Sequence, residues 1–88
     1  MRLRGEFVVR QIMDDTVAIP TGQTALAFNG MILLNDVSKV IWECLGQETQ
    51  VEAIVKAVTD AFAVSAEEAR TDIREFLDKL RSAQMLDD

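Results

Sequence analysis

Three arginines carry the most specific chemistry in the chain. At 100° per residue, Arg70, Arg74 and Arg81 fall within about 40° of one another on a single helix, with Leu77 among them. A guanidinium is a planar fork of donors that fits a carboxylate. Three of them beside an apolar residue could therefore hold an acidic ligand through charge-assisted hydrogen bonds. The plainer reading is ordinary helix-surface charge, paired with Glu67 and Asp78. Asp72, Glu75 and Lys79 lie on the far side of the same helix.

Other residue types that could do chemistry fall away. The chain has no His, the commonest general base and metal ligand. Its single Cys44 lies on the inner stripe of a helix with no imidazole to activate it, and reads as an inert, buried thiol. One Cys also forbids an internal disulfide and any Cys-cluster metal site. Carboxylate pairs at Asp14-Asp15, Glu67-Glu68 and Asp87-Asp88 fall on a turn, a helix start and a tail. There they solvate loops and complement a helix N-terminus. No glycine-rich phosphate cradle occurs. Trp42 reads as a core anchor rather than a ligand platform. Asn35-Asp36-Val37-Ser38 has the wrong order for the attachment serine of an acyl carrier protein. No catalytic residue, metal site or cofactor is expected.

The elements that position the arginine stripe are β first and α after. Phe7 to Met13 and Thr16 to Pro20 read as two strands of a hairpin around Asp14-Asp15, with Val17 and Ile19 on one face and Val8 and Val9 competing for the inner face of the first strand. Pro20 to Gln23 is a turn. Thr24 to Phe28 alternates, pairing Leu26 with Phe28, and reads as a further strand before a break at Asn29-Gly30. Met31 to Leu34 is the last strand candidate, separate or continuous with the previous run through a bulge at Gly30.

Three helices follow, near 36–45, 50–62 and 66–84. Asn35 is the expected N-cap of the first, whose apolar stripe is Val37, Val40, Ile41, Cys44 and Leu45, with Gly46 as its stop. Thr49 to Glu52 and Ser65 to Glu68 both have the capping-box pattern. The second helix turns Val51, Ile54, Val55, Val58 and Phe62 inward, and the third turns Ala69, Ile73, Phe76, Leu77 and Leu80. Each helix has only one apolar face, so the three must pack on each other and on the sheet. The expected fold is α+β and winged helix-turn-helix-like: a small N-terminal antiparallel sheet, then three helices, in one domain spanning 1–88.

Composition narrows the function. Eighty-eight residues leave little room for a deep cofactor cavity or a large cleft. Nine Lys and Arg against fifteen Asp and Glu give a net charge of -6, which opposes binding to a phosphate backbone. A winged-helix nucleic-acid binder would need a basic recognition helix, and the second helix has only Lys56 against Glu52 and Asp60. A structural subunit of a larger complex is the other alternative. No signal peptide is read in the charged Met1–Glu6, and no run approaches the roughly 20 apolar residues of a membrane span. A cytoplasmic protein is expected, with no membrane and no nucleic-acid partner, as a monomer or weak dimer.

A longer series of residues resembles a known family. Gly30-Met31-Ile32-Leu33-Leu34-Asn35, then Val40-Ile41-Trp42 and Leu45 leading to Val51 and Ile54, is similar to the PqqD-like family. The series continues through Phe62, Val64, Ser65, Asp72, Phe76, Leu77, Leu80 and Leu86. Val9-Arg10 and Val17 to Pro20 fit as well, so the resemblance covers roughly residues 6–86. It implies a RiPP recognition element: a non-catalytic adaptor, in natural-product biosynthesis, that binds the leader of a ribosomally made precursor. The leader adds as a strand to the sheet edge, lies against the third helix, and is presented to a modifying enzyme, often a radical SAM protein. The implied peptide-binding residues are Met31, Ile32, Leu33 and Leu34 of the recognition strand. Arg70, Arg74 and Arg81 would meet acidic leader residues, with Leu77 on the apolar floor. Thr24 to Asn29 is extra relative to the shortest members. If it pairs outside Met31–Leu34, the usable edge moves to Thr24–Phe28.

Overall fold

A computed structural model of the protein describes residues 1–28 and 30–88, so Asn29, half of the predicted break, lies outside the described residues. These residues form two compact units, Gly5–Asn35 and Met1–Arg4 with Asp36–Asp88. The architecture is α+β, as expected, with four helices rather than three.

In the Gly5–Asn35 unit, β2 (Phe7–Ile12), β3 (Asp15–Pro20) and β4 (Ile32–Leu34) form an antiparallel sheet in the order β2-β3-β4. The hairpin forms one residue earlier than its sequence suggests. Ile12 pairs with Asp15, and Met13 takes the tight turn at φ +57°. Val17 and Ala18 of β3 are both buried, so the central strand is withdrawn from solvent on both faces. This is why simple alternation describes it poorly.

The predicted strand at Thr24–Phe28 is instead a helix, α1 (Gly22–Ala27), with Leu26 83% exposed. Alternation over five residues competes here with the high helix propensity of Ala25-Leu26-Ala27. Backbone bonds at the helix start decide the outcome. The Thr21 N–H donates to the Glu6 carbonyl at 2.9 Å, and the Glu6 N–H donates to Thr24 Oγ1 at 2.7 Å. Gly5 allows this approach, because a Cβ there would meet Thr24 Oγ1 at 2.7 Å and its φ is +102°.

The second unit holds α2 (Asp36–Cys44), α3 (Val51–Ala61), α4 (Ala66–Ser82) and a two-stranded pairing of β1 (Arg2–Leu3) with β5 (Leu86–Asp87). Its core is Ile41, Leu45, Ile54, Val58, Ile73, Leu77 and Leu80, all essentially inaccessible to solvent. The α2 stripe is rotated from the expected one. Ser38, Ile41, Trp42 and Leu45 are buried, whereas Val37, Val40 and Cys44 are only half-buried. Burial of the indole, the largest apolar surface on that helix, outweighs burial of the smaller side chains. Phe62 and Phe76, assigned inward by period, are likewise half-buried.

Of the two capping patterns, only the one at Ser65 supplies a side-chain cap. Ser65 caps α4: its Oγ accepts from the Glu68 N–H at 3.0 Å and donates to the Glu68 carboxylate at 3.3 Å. At α3 the N-cap is Gln50 with no side-chain cap bond. Thr49 falls one residue before the cap: its carbonyl accepts from the Met1 ammonium at 2.8 Å, and the first helical bonds, from the Ala53 and Ile54 N–H groups, go to the Gln50 carbonyl. Replacing Ser65 with Ala should lower stability by about 0.5–2 kcal/mol in urea unfolding, while Thr49→Ala should leave α3 capping unchanged. Equal losses at the two positions would contradict this assignment.

The end of α4 was not legible in advance. Gln84 takes φ +60°, and the Met85 N–H reaches back to the Leu80 carbonyl at 2.9 Å, the closure of a Schellman motif. That turn directs Leu86 and Asp87 into pairing with Leu3 and Arg2. Among the described residues no helix is long and apolar enough to cross a membrane.

Candidate functional site

Of the four predicted strand residues, Ile32, Leu33 and Leu34 form β4, and Met31 precedes it. Thr16, Val17 and Ala18 of β3 face Leu34, Leu33 and Ile32 on one side of the strand. On its other side β4 pairs with no described residue, so its outward N–H and C=O groups form a sheet edge. Leu34 is buried and Ile32 half-buried on one face, while Leu33 on the opposite face is 62% exposed and Met31 beside it 57%. Because Thr24–Phe28 is helical, it does not take over this edge. β2 is the other edge strand, but it carries the polar, exposed Arg10 and Gln11, which blunt an edge against pairing.

In the helical unit, the four residues predicted on α4 come together. Arg70, Arg74, Leu77 and Arg81 line a recess of about 200 Å³ with Ile73 and Val51. Ile73 and Leu77 are its buried apolar floor, and the arginines are its exposed rim. Val51, at the first turn of α3, was assigned to the core by helical period. Its position at the helix start leaves it 38% exposed at this recess.

The three arginines are not equivalent. Arg70 grips Glu52 of α3 with both edges of its fork, Nη2 to Oε1 at 2.8 Å and Nε to Oε2 at 3.2 Å. Arg81 makes the same two-pronged contact with Asp88, at 3.0 and 3.1 Å, and reaches Asp78 at 3.3 Å. The expected Asp78 pair is present, but Arg70 selects Glu52 over Glu67. A carboxylate on a neighbouring helix can accept both prongs, and bidentate geometry is favoured. The Arg70 hydrogen bond holds the Glu52 carboxyl below its ordinary pKa, and Arg81 does the same for Asp88. Both arginines are in turn raised, first by those same hydrogen bonds. Arg74 lies between them and has no acidic partner among the described residues.

The remaining candidates contribute no reactive group. Burial, and then the neighbouring Glu43, push the Cys44 thiol up, which keeps it protonated and a poor nucleophile near neutral pH. Trp42 is buried in the core. Lys56, the single basic residue of α3, is bonded to Asp60 at 2.9 Å in an exposed pair.

Residues 8–86 match the family described as Coenzyme PQQ synthesis protein D (PqqD). The chain belongs to the PqqD family. The matched stretch includes β4, the residues that line the recess and the helices that build it. A solved structure, TbiB1 in complex with the TbiA(beta) leader peptide, is similar to this chain with a TM-score of 0.73 at 24% identity. The likeness covers 99% of this chain and 95% of that one, and it establishes a shared fold. No curated protein matches this PqqD-family chain.

Proposed function

We propose that this chain is a non-catalytic adaptor, one peptide-recognition domain that binds the leader of a ribosomally made precursor and presents it to a modifying enzyme. The observation that carries the reading is β4, an edge strand with open backbone groups and an exposed apolar Leu33. An extended peptide that adds to such an edge gains affinity from main-chain bonds and specificity from alternate side chains. Ile32, Leu33, Leu34 and the preceding Met31 are the strand residues of this site. Arg70, Arg74, Arg81 and Leu77 are the residues that read leader side chains. Support comes from the PqqD family and from the leader peptide bound by TbiB1, a protein of the same fold.

The enzyme served is a modifying enzyme such as a radical SAM protein, and the adaptor acts in the cytoplasm, where the precursor is made. An adaptor of this kind works by raising the effective concentration of substrate at the enzyme, so it acts on apparent KM and leaves the chemical step alone. Adding this protein should lower the enzyme's apparent KM for the precursor about tenfold, with kcat little changed, and the protein alone should turn over nothing. An enzyme rate indifferent to the protein at all precursor concentrations would remove the adaptor reading and favour a purely structural subunit.

A further inference from the structure

The recess on α4 is asymmetric in charge, and the asymmetry specifies what it can accept. Resting on the adaptor reading above, we infer that the recess is selective for a single carboxylate beside one apolar side chain of about leucine size, with Arg74 taking the carboxylate. Arg70 and Arg81 are already engaged by Glu52 and by Asp88 with Asp78. A carboxylate arriving at either finds the Nε–Nη2 edge of the fork already occupied and approaches a resident negative charge. At Arg74 it meets neither, because Asp78, four residues further along the helix, is turned to Arg81.

The floor supplies the second half of the specificity. Val51, Ile73 and Leu77 are purely aliphatic, and the recess measures about 200 Å³. An apolar cavity of ~150 Å³ is enough for a benzene-sized group, so there is space for one aliphatic or aromatic side chain and not two. Such a group would be desolvated chiefly against Val51, which is 38% exposed, and the aliphatic stems of the rim arginines, above the already buried Ile73 and Leu77. Partial exclusion of water at the floor also strengthens the adjacent bond to Arg74. The bound paired carboxylates give the rim its directionality: they hold Arg70 and Arg81 in place as walls, leaving Arg74 as the contact.

The probe is N-acetyl-Leu-Glu-amide, titrated into the isotopically labelled full chain, with N-acetyl-Leu-Gln-amide and N-acetyl-Ser-Glu-amide as its two controls. Chemical shifts of Arg74 Nε–H and of the Ile73 and Leu77 methyls read binding at the recess directly. The Leu-Glu probe should bind about tenfold more tightly than either control. Arg74→Gln should erase the preference for Leu-Glu over Leu-Gln, while Lys79→Gln, on the opposite face of α4, preserves it. Equal affinities for Leu-Glu and Leu-Gln, no response of the recess to any probe, or an equal loss of preference in Lys79→Gln would each overturn the inference. Those outcomes leave the adaptor reading to be judged separately by the enzyme's KM.

Discussion

Replacing Ile54 with Ala should destabilise the protein by about 2–5 kcal/mol, the range for removing a fully buried branched side chain without collapse of the site. Ile54 is 0% exposed and sits on α3, the helix that contacts both α2 and α4. Few routes exist for filling the space it leaves, because the other core residues of this unit, among them Ile41, Leu45, Ile73 and Leu80, are equally enclosed. In a domain this small, each kcal/mol moves the melting temperature by roughly 4–8 °C. The loss should therefore be plain in both thermal and urea unfolding. Phe76→Ala is the internal comparison. Its ring is only half-buried, so its removal should cost clearly less despite the larger volume deleted. A loss below about 0.5 kcal/mol for Ile54→Ala, or a larger one for Phe76→Ala, would mean that the helical faces are wrong.

That contrast marks where the fold was legible in the sequence. The 3.6-residue period placed Ile54, Val58, Ala69, Ile73, Leu77 and Leu80 inward, and all six are buried. Periodicity is strong evidence when it runs through three turns or more, and both helices do. It overreached at Phe62 and Phe76, which are half-buried, and it failed over short spans, where competing terms are of similar size. In Thr24–Phe28, alternation lost to alanine-rich helix propensity and to the Glu6 backbone bonds, which no local pattern encodes. The capping motif at Thr49 failed because the Thr49 carbonyl is held by the Met1 ammonium, 48 positions away in sequence, and the helix starts from Gln50 instead. The pairing of β1 with β5 joins two-residue segments at opposite ends of the chain, too short to leave a pattern.

The candidate site divides in the same way. That Arg70, Arg74 and Arg81 share a face with Leu77 follows from helix geometry alone, and the recess contains all four. Which arginine is paired depends on Glu52 and Asp88, whose approach is set by packing of α3 and by the turn after α4. The role of Val51 was hidden for a related reason: its residue type says core, and only its place at a helix start exposes it.

Methylating alternate backbone amides of the leader peptide should weaken binding by at least about thirtyfold, with the intervening amides nearly indifferent. In a strand, successive N–H groups point to opposite sides, so only every second one of the leader can face β4. An N-methyl group there removes a donor, leaves a carbonyl on β4 without its partner, and separates the two backbones. A buried acceptor stranded in this way costs about 1–3 kcal/mol before the steric term is added. The strand on the protein side has only three residues, Ile32 to Leu34, so few bonds share the load and each loss is large. Side-chain recognition predicts no such period of two, which separates the backbone contribution from that of the arginines. Hydrogen exchange locates the edge: the leader should slow exchange of the outward amides within Ile32–Leu34 and leave those of β2, Phe7–Ile12, unaffected. A flat methylation profile would show that strand addition does not bind the leader. A two-residue period accompanied by protection of β2 instead would keep strand addition and move it to the other edge of the sheet, away from Leu33.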